Sequence, residues 1–458
     1  MKKLFSILLV IFALLSAVST AGAYEVESFD DLHSDVALLM SLDYGTVIYE
    51  KNADKRTPPS SLAKIVASLV ALEYYGQESD EVITANYNAI LEVPYGTIAS
   101  GLKGGENLTL TQLLYYIMVQ SANDAVYVLA YQVGSENMRP AMTETQSFTA
   151  MMNELAERLG CENTYFSDCA GLDDEGSYTT ARDLAKIAKY AYQNSRLMRI
   201  CSTHTYTVEA TNANSSRLLA NNNSLIIASS EYYYRYANGM KTGASNKGRC
   251  LIATSEKDGK NYLAIVMESE YTEDEETGDS TNYSFIDAKT LLDWANRNLV
   301  YRTLVDKNTV TGIEIPVKNG SGVDYVRLVP GEEIRALVPA SFKMSDVSFK
   351  VDKSALPESL NATVHKGDEV CTAQVICGEE SLGEVKLVCA NDVSLNIFLA
   401  IGSAISTVFG ITAVRIIVFI AIALLVLWLV FSRSSKKKKK RIRVVDRDGE
   451  NTGNPSGK

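Results

Sequence analysis

The order of apolar and polar positions along the chain predicts strands first, then helices, then strands again. Apolar residues from Val36 to Tyr49, on either side of Asp43-Tyr44-Gly45, are typical of two strands joined by a turn. Apolar residues at helical spacing follow in four segments, which begin near Ser61, Leu110, Phe148 and Ala181. Short apolar runs between turn residues come next: Gly239 to Gly243, Arg249 to Thr254 and Tyr262 to Ser269. We expect the first and last strand groups to share one sheet, with the helices packed against it.

The pattern changes near Thr303. From there on, short β-like runs are separated by Gly, Pro, Asn and Asp: Gly312 to Val317, Tyr325 to Val329, Ile334 to Val338 and Val347 to Val351. A chain of 458 residues is too long for one ordinary hydrophobic core. We therefore predict a first domain at residues 24–302 and a small all-β domain at residues 303–394. The second domain contains no reactive constellation and is interpreted as a spacer or docking module.

The first residues match a secretory signal peptide. Met1-Lys2-Lys3 supplies positive charge, an apolar stretch runs from Leu4 to about Val18, and Ala21-Gly22-Ala23 fits an Ala-x-Ala cleavage site. The apolar stretch is short for a bilayer crossing, which disfavours an uncleaved anchor. We expect residues 1–23 to be removed, so that the mature chain begins near Tyr24.

The other end of the chain has the pattern of a membrane anchor. Ile416 to Phe431 is uncharged and apolar, and the basic cluster Lys436 to Lys440 follows at once. By the positive-inside rule, this cluster predicts a cytoplasmic tail at residues 433–458 and an extracytoplasmic first domain at the cell membrane. The preceding run, Ile397 to Val414, is interpreted as an interfacial segment, since a second crossing would return the lysines to the outside. Residues 395–432 are thus predicted to be the interfacial and transmembrane segment.

Charge and cysteine content exclude some classes of function. The net charge of −11 includes a tail at +7, from ten Lys or Arg against three Asp or Glu in residues 433–458, so the rest of the chain carries −18. An acidic exterior argues against nucleic acid as a partner. The seven cysteines form no Cys-x-x-Cys, and Cys201 with His204 is the only tight Cys/His pair, so neither a metal site nor a cofactor is predicted. Disulfide pairing cannot be read from the spacing.

Three short motifs point to one reaction class. Ser61-Leu62-Ala63-Lys64, Ser121-Ala122-Asn123 and Lys241-Thr242-Gly243 occur in the order expected for lysine-assisted serine acyl transfer. Each motif alone is weak, because Ser-x-x-Lys recurs at Ser100, Ser434 and Ser435. Only the first copy precedes a helical apolar run, where its serine would open a helix. None of the three histidines lies in a nucleophile motif, which disfavours a Ser-His-Asp site.

The first motif supplies the predicted nucleophile and base. Ser61 is expected at a helix start, where the helix dipole favours developing negative charge. Lys64 would lie on the same helix face. A lysine with its ordinary pKa of about 10.4 is protonated and cannot act as a base, so Lys64 must be desolvated or lie near another cation. Lys241 could be that cation, and the assignment of Lys64 as the base is a hypothesis.

The other two motifs are predicted to position the substrate. Ser121 is a candidate proton relay to the leaving amine, and Asn123 could bind both the lysine and the substrate amide. Lys241 offers a cation for a substrate carboxylate, and Thr242 offers a hydroxyl. Gly243 allows the substrate backbone to approach closely, and the N–H of Ala244 would form an oxyanion hole with that of Ser61.

With these motifs the chain resembles the low-molecular-mass penicillin-binding proteins, which are serine D-alanyl-D-alanine carboxypeptidases. Further matching segments are Gly101-Leu102-Lys103 with Gly105-Glu106, Asp124-Ala125, Gly171-Leu172-Asp173, Tyr178 to Ala185, and Gly239-Met240. The resemblance covers roughly Val36 to Leu299. It implies an α/β (α+β) penicillin-recognising, β-lactamase-like fold with a helical subdomain.

The resemblance also implies the reaction. Acylation of Ser61 would release the terminal D-alanine of peptidoglycan stem pentapeptides, and water would then free the tetrapeptide. β-Lactams are expected to acylate the same serine and persist. The chain departs from many relatives at Ala170, where they have a histidine, and in adding a true membrane span.

Three alternatives share some of these features. A β-lactamase uses the same motifs, but no deacylating glutamate is evident in a motif here. A non-catalytic β-lactam sensor would signal through the span, although the short basic tail carries no output domain. A structural wall-binding protein could keep the fold without turnover.

Overall fold

The computed structural model describes residues 29–172, 175–273, 279–352, 354–377 and 380–437. The predicted signal peptide and most of the predicted tail lie outside these residues. The described chain forms two compact units. The first contains the described residues up to Thr303 together with Arg335–Val347, and the second contains most of the remainder.

The strands are β1 Ser34–Ser41, β2 Val47–Lys51, β3 Val82–Thr84, β4 Asn107–Thr109, β5 Thr205–Val208, β6 Arg217–Ala220, β7 Ala237–Ser245, β8 Gly248–Lys257, β9 Lys260–Ser269, β10 Tyr271–Glu273, β11 Ser280–Asn282, β12 Leu299–Val305, β13 Glu314–Lys318, β14 Tyr325–Pro330, β15 Ile334–Pro339, β16 Val347–Val351, β17 Leu360–Asn361, β18 Glu369–Cys377 and β19 Glu380–Cys389. The α-helices are α1 Ala63–Tyr75, α2 Tyr87–Glu92, α3 Leu110–Tyr115, α4 Asn123–Glu136, α5 Glu144–Arg158, α6 Ala181–Tyr192, α7 Ser195–Cys201, α8 Tyr283–Asn298, α9 Ile397–Gly410 and α10 Thr412–Lys437.

A five-stranded antiparallel sheet organises the first unit. Its order is β2-β1-β9-β8-β7, so the strands at the start of the chain pair with those two hundred residues later. Ser34 lies opposite Ser269 at one end of the β1–β9 pair. The prediction that the two strand groups share one sheet is confirmed. Strand β7 lies at the edge, which leaves one of its sides open to a ligand.

Helices cover both faces of this sheet. On one face, the alternate β1 residues Val36, Leu38 and Met40 join a core with α1 and the central helices. On the other face, Ala37 and Leu39 pack with α8. Because successive side chains of a strand point to opposite faces, a strand buried on both sides reads as a continuous apolar run. This arrangement confirms the predicted α/β class with a helical subdomain.

Two predicted helices each have one end that is not a regular α-helix. Ser61 lies in a 3-10 turn, Ser60–Leu62, and α1 begins only at Ala63. Ser60 has a φ of 49°, in the left-handed region that a right-handed helix does not use, so α1 cannot extend back to Ser60. The predicted helix from Leu110 changes into a π-turn at Tyr116–Gln120 before it ends at Ser121.

The second unit contains a six-stranded sheet in the order β16-β18-β19-β14-β13-β17. Strands β12 and β15 form a separate two-stranded sheet. No disulfide joins the seven cysteines, all of which lie among the described residues, and five of them are buried.

Two apolar helices follow the strands. The first is α9, and α10 begins after a break at Ile411. Its segment Thr412–Ser432 has the length and composition to cross a membrane, and the rest of the described chain does not bury it.

Candidate active site

The turn that carries Ser61 is fixed by close backbone packing. A side chain at Gly171 would place its Cβ 1.9 Å from the carbonyl oxygen of Ser60, so only glycine fits there. Gly171 also has a φ of 73°, a conformation that favours glycine. The glycine of the Gly-Leu-Asp segment therefore seats the turn that presents the Ser61 hydroxyl to the cleft.

Lys64 contacts the Ser61 hydroxyl directly. Its side chain is fully buried, and Nζ donates hydrogen bonds to Ser61 Oγ at 2.9 Å and to the carbonyl oxygen of Ala170 at 2.8 Å. Burial lowers the pKa of Lys64 to about 8, and the carboxylate of Asp168 acts in the opposite direction. A substantial fraction of Lys64 is therefore neutral near physiological pH and can accept a proton from Ser61.

A second buried lysine contacts the second serine. Lys241 is 2% exposed, and its Nζ donates to Ser121 Oγ at 3.0 Å and to the carbonyl oxygen of Thr242 at 2.9 Å. Burial, and then the charge of Lys64, lower the pKa of Lys241 to about 7. Ser121 has a φ of 64° at the end of the π-turn. A lysine and a serine thus form a second hydrogen-bonded pair beside the first.

Asn123 offers a buried acceptor. It is the first residue of α4, and its backbone N–H donates to the carbonyl oxygen of Ile98 at 2.8 Å. Its Oδ1 is buried without a hydrogen-bond partner in the described part of the chain. Buried polar atoms in native proteins are nearly always satisfied, so an acceptor left open beside a cleft is suited to a ligand N–H.

Edge strand β7 forms one wall of the cleft. The cleft has a volume of about 450 Å³. Its lining includes six of the eight predicted site residues: Ser61, Ser121, Asn123, Thr242, Gly243 and Ala244. A Cβ at Gly243 would lie 2.5 Å from Ser60 Oγ and 3.5 Å from the Ser61 nitrogen. The missing side chain at Gly243 is therefore what lets β7 approach the nucleophile turn.

The remaining two predicted residues, Lys64 and Lys241, lie behind the cleft wall and reach the site through Ser61 and Ser121. The structure thus gathers all eight residues in one place, from segments far apart in the sequence. Within the described ranges, no group of three or more His, Cys, Asp or Glu side chains could hold a metal ion.

Two neighbours of the cleft were not predicted. The hydroxyl of Ser60 accepts a hydrogen bond from the Ser61 N–H at 2.6 Å. This N–H is one of the two predicted oxyanion donors, so the Ser60 side chain must rotate before the N–H can bind a substrate oxygen. Arg249 lines the cleft from β8, opposite Ala244. Its sequence signal was only its place eight residues after Lys241, which has meaning once the strands are paired.

The fold and the paired serine–lysine contacts define a serine acyl-transfer enzyme of the penicillin-recognising type. A family model described as D-alanyl-D-alanine carboxypeptidase, peptidase S11, matches residues 23–271, and this chain belongs to that family. A second model, the C-terminal domain of penicillin-binding protein 5, matches residues 301–394. The predicted family, fold class and enzyme class are confirmed: the chain is a serine-type D-alanyl-D-alanine carboxypeptidase.

Individual relatives agree with the family models. The chain is 28% identical over 407 residues to the D-alanyl-D-alanine carboxypeptidase DacF of Bacillus subtilis, covering 86% of this chain and 95% of DacF. It is 32% identical over 229 residues to a D-alanyl-D-alanine carboxypeptidase of Streptomyces sp. K15, covering 49% of this chain and 77% of that protein. Penicillin-binding protein 5 of Haemophilus influenzae superposes with a TM-score of 0.59 at 21% identity, over 81% of this chain and 100% of that one, which shows a shared fold.

Proposed function

We propose that Ser61 is the nucleophile with which this enzyme removes the terminal D-alanine from peptidoglycan stem pentapeptides. The observation that carries the proposal is the 2.9 Å contact between Ser61 Oγ and a fully buried lysine whose pKa is lowered to about 8. Burial thus supplies the base that a Ser-Lys mechanism requires. The β-lactams present a similar acyl group to the same hydroxyl.

Acylation uses both serine–lysine pairs. Ser61 Oγ attacks the carbonyl carbon of the penultimate D-alanine while neutral Lys64 takes the hydroxyl proton. The N–H groups of Ser61 and Ala244 bind the oxygen that becomes negative. When the C–N bond breaks, Ser121 gives its proton to the departing amine and regains one from Lys241, 3.0 Å away. Free D-alanine leaves, and the tetrapeptide stays esterified to Ser61.

The cleft also explains how the peptide is held. The open Oδ1 of Asn123 accepts the N–H of the substrate amide, which satisfies an otherwise unpaired buried acceptor. The edge of β7 offers backbone groups along the rest of the peptide. Water then hydrolyses the ester, with Lys64 again the nearest base. At Ala170 only the backbone carbonyl takes part, as the acceptor of a Lys64 hydrogen bond.

We further propose how the enzyme is placed at the membrane. Helix α10 crosses the bilayer through Thr412–Ser432, and α9 lies in the interface. The basic cluster after α10 keeps the tail in the cytoplasm, so the first domain acts on the wall side. The apolar composition of both helices supports this arrangement, since Arg415 is the only charged residue between positions 397 and 432.

The test is release of D-alanine by the full-length protein in detergent from a diacyl-Lys-D-Ala-D-Ala peptide. Ser61→Ala should lower the rate by about 10⁴-fold or more, the scale on which loss of a serine nucleophile acts. Ser434→Ala, in another Ser-x-x-Lys copy, is the matched control and should leave the rate unchanged. Labelling by a fluorescent penicillin without any D-alanine release would instead support the non-catalytic sensor.

A further inference from the structure

The terminal carboxylate of the substrate requires a cation that lies inside the cleft. The Lys-Thr-Gly motif predicts Lys241 for that role. In the structure, Lys241 is 2% exposed and does not line the cleft, and its ammonium group donates to Ser121 and to the Thr242 carbonyl. An ammonium group behind the wall that already serves two acceptors is poorly placed for a carboxylate inside the cleft.

Arg249 lines the cleft, whereas Lys241 lies behind the cleft wall. It is the only charged residue among those that line the cleft in the described chain. It lies on β8 directly opposite Ala244, the residue whose N–H is proposed to bind the reacting carbonyl oxygen. Facing residues on antiparallel strands have Cα atoms about 5 Å apart. The carboxylate of a terminal D-alanine lies about one residue, roughly 3.5 Å, beyond the scissile carbonyl, which is within reach of an arginine side chain.

The surroundings of Arg249 hold its guanidinium in place and leave its charge available. Its Cζ lies over the Tyr271 ring, 4.2 Å from the ring centre, a cation–π contact that restricts the position of the guanidinium. Ser269 of β9 lies opposite Arg249, and the acidic residues on either side of Ser269 pair with other cations: Glu268 with Lys55 and Lys247, and Glu270 with His33. No carboxylate of the described residues forms an ion pair with Arg249.

We propose that Arg249 binds the free C-terminal carboxylate of the substrate and thereby selects peptides that end in a free acid. Lys241 remains behind the wall and supplies protons to Ser121. The proposal rests on the proposed carboxypeptidase function and names the group that restricts this function to chain ends. It also accounts for the recognition of the carboxylate that penicillins carry beside their reactive ring.

The test compares two peptides and four proteins. Full-length protein in detergent is assayed on diacyl-Lys-D-Ala-D-Ala and on the same peptide ending in D-alaninamide, with release of the last residue as the readout. Arg249→Gln should lower kcat/KM for the free acid by about 10- to 100-fold, the loss expected for a charged hydrogen bond, mainly through KM. Turnover of the amide should stay within about twofold of wild type.

Two further variants complete the design. Arg249→Lys keeps the charge and should recover part of the preference for the free acid. Lys241→Gln should slow both peptides by the same factor and through kcat, because it acts on proton transfer. Continued turnover of the amide shows that each Arg249 variant is folded.

The outcomes separate the two proposals. If Arg249→Gln slows both peptides equally, or if Lys241→Gln alone loses the preference for the acid, the Arg249 assignment is wrong and the carboxypeptidase function stands. If the wild-type protein releases nothing from either peptide, the proposed function fails and the assignment fails with it.

Discussion

At the residue scale, the proposed mechanism depends on two lysines whose pKa is lowered because they are buried. Lys64 and Lys241 are both lowered in pKa by desolvation, and Lys241 is lowered further by the charge of Lys64. Each holds one serine hydroxyl, at 2.9 Å and 3.0 Å. Two ammonium groups this close do not both stay protonated at neutral pH, so the pair titrates as a unit.

The pH dependence of acylation follows from these pKa values. The reactive form of the pair carries one proton, with Lys64 neutral as the base and Lys241 protonated as the donor to Ser121. The rate must therefore fall when a second proton is added and also when the last proton is lost. We expect the second-order rate constant for acylation by benzylpenicillin to fall about tenfold per pH unit below roughly pH 7, to be highest between roughly pH 7 and pH 8, and to fall again above that range. Stopped-flow competition with a fluorescent penicillin measures this profile.

Two variants check the origin of that profile. Lys64→Met should abolish acylation at every pH, because no amine remains next to Ser61. Lys366→Met removes an exposed lysine of the second unit and should leave the profile unchanged. A flat rate from pH 5.5 to 9 in the wild-type protein would contradict the assignment of a lysine base.

The predicted site residues came from motif order, and all eight meet in the structure. Ser60 and Arg249 were not found because their roles depend on geometry that no local pattern encodes. The role of Ser60 rests on one hydrogen bond to its neighbour's N–H, and that of Arg249 on the register between β7 and β8.

At the scale of elements, the N-terminus of α4 fixes the wall that faces β7. The carboxylate of Asp124 accepts hydrogen bonds from the backbone N–H groups of Ser100 and Leu102, at 2.9 Å and 3.0 Å. The N–H of Asn123 holds the carbonyl of Ile98, which lines the cleft together with Gly96 and Thr97. A negative charge in the first turn is also favourable for the helix dipole. The N-terminus of α4 therefore positions both Asn123 and the cleft wall formed by residues 96–98.

Neutralising this carboxylate should loosen the wall. Asp124→Asn places an amide N–H against backbone N–H donors, so at least one buried donor loses its acceptor, at a cost of about 1–3 kcal/mol. We expect a five- to tenfold rise in KM for the peptide and faster amide hydrogen exchange in residues 96–102. Mass spectrometry of the exchanged peptides measures the second effect.

Asp183 supplies the matched control. Asp124 and Asp183 are both 3% exposed, and both accept hydrogen bonds from backbone N–H groups. Asp183 lies in α6 and accepts the N–H of Asn163, not a residue of the cleft wall. Asp183→Asn should lower the free energy of unfolding without changing exchange in residues 96–102. Equal exchange in the wild-type and Asp124→Asn proteins would argue against the proposed link between α4 and the wall.

The sequence predicted the five strands of the central sheet, the strands β13 to β16 and the helices α1, α3, α5 and α6. It missed the other strands, among them β18 and β19, and the helices α2, α4, α7 and α8. The Ser-Ala-Asn motif indicated only a helix C-terminus, because the next helix begins within the motif, at Asn123, with no turn residue between them. The 3-10 helix at Ser60–Leu62 and the π-helix at Tyr116–Gln120 depend on tertiary packing, such as the close contact between Gly171 and the Ser60 carbonyl. Helical periodicity in the sequence does not reveal them.

At the scale of the whole molecule, the catalytic domain and the proposed membrane anchor are different parts of the chain. All eight site residues lie in the first unit, before Thr303. The helices α9 and α10 carry apolar side chains that the described chain leaves uncovered. This separation was predictable, because a run of uncharged apolar residues is the strongest signal that a sequence offers. The pairing of β12 with β15 was not predictable, since strand partners depend on tertiary contacts.

Removing the proposed membrane anchor should release the protein from the membrane without changing its catalytic rate. A chain that ends at Ser394 lacks both apolar helices and should appear in the soluble fraction, with kcat/KM for the peptide within about twofold of the full-length protein. Membrane fractionation followed by the D-alanine assay checks both statements. A truncated protein that still sediments with membranes would show that attachment lies elsewhere.

The identity of the acylated residue tests the central claim most directly. Trypsin releases Thr57–Lys64 as one peptide that contains both Ser60 and Ser61, so fragmentation by tandem mass spectrometry distinguishes the two hydroxyls. After incubation with benzylpenicillin at neutral pH, we expect one penicilloyl group per chain, on Ser61, and none in the Lys64→Met variant. An adduct on Ser60 or on any other residue, or equal labelling of Lys64→Met, would contradict a lysine-activated Ser61.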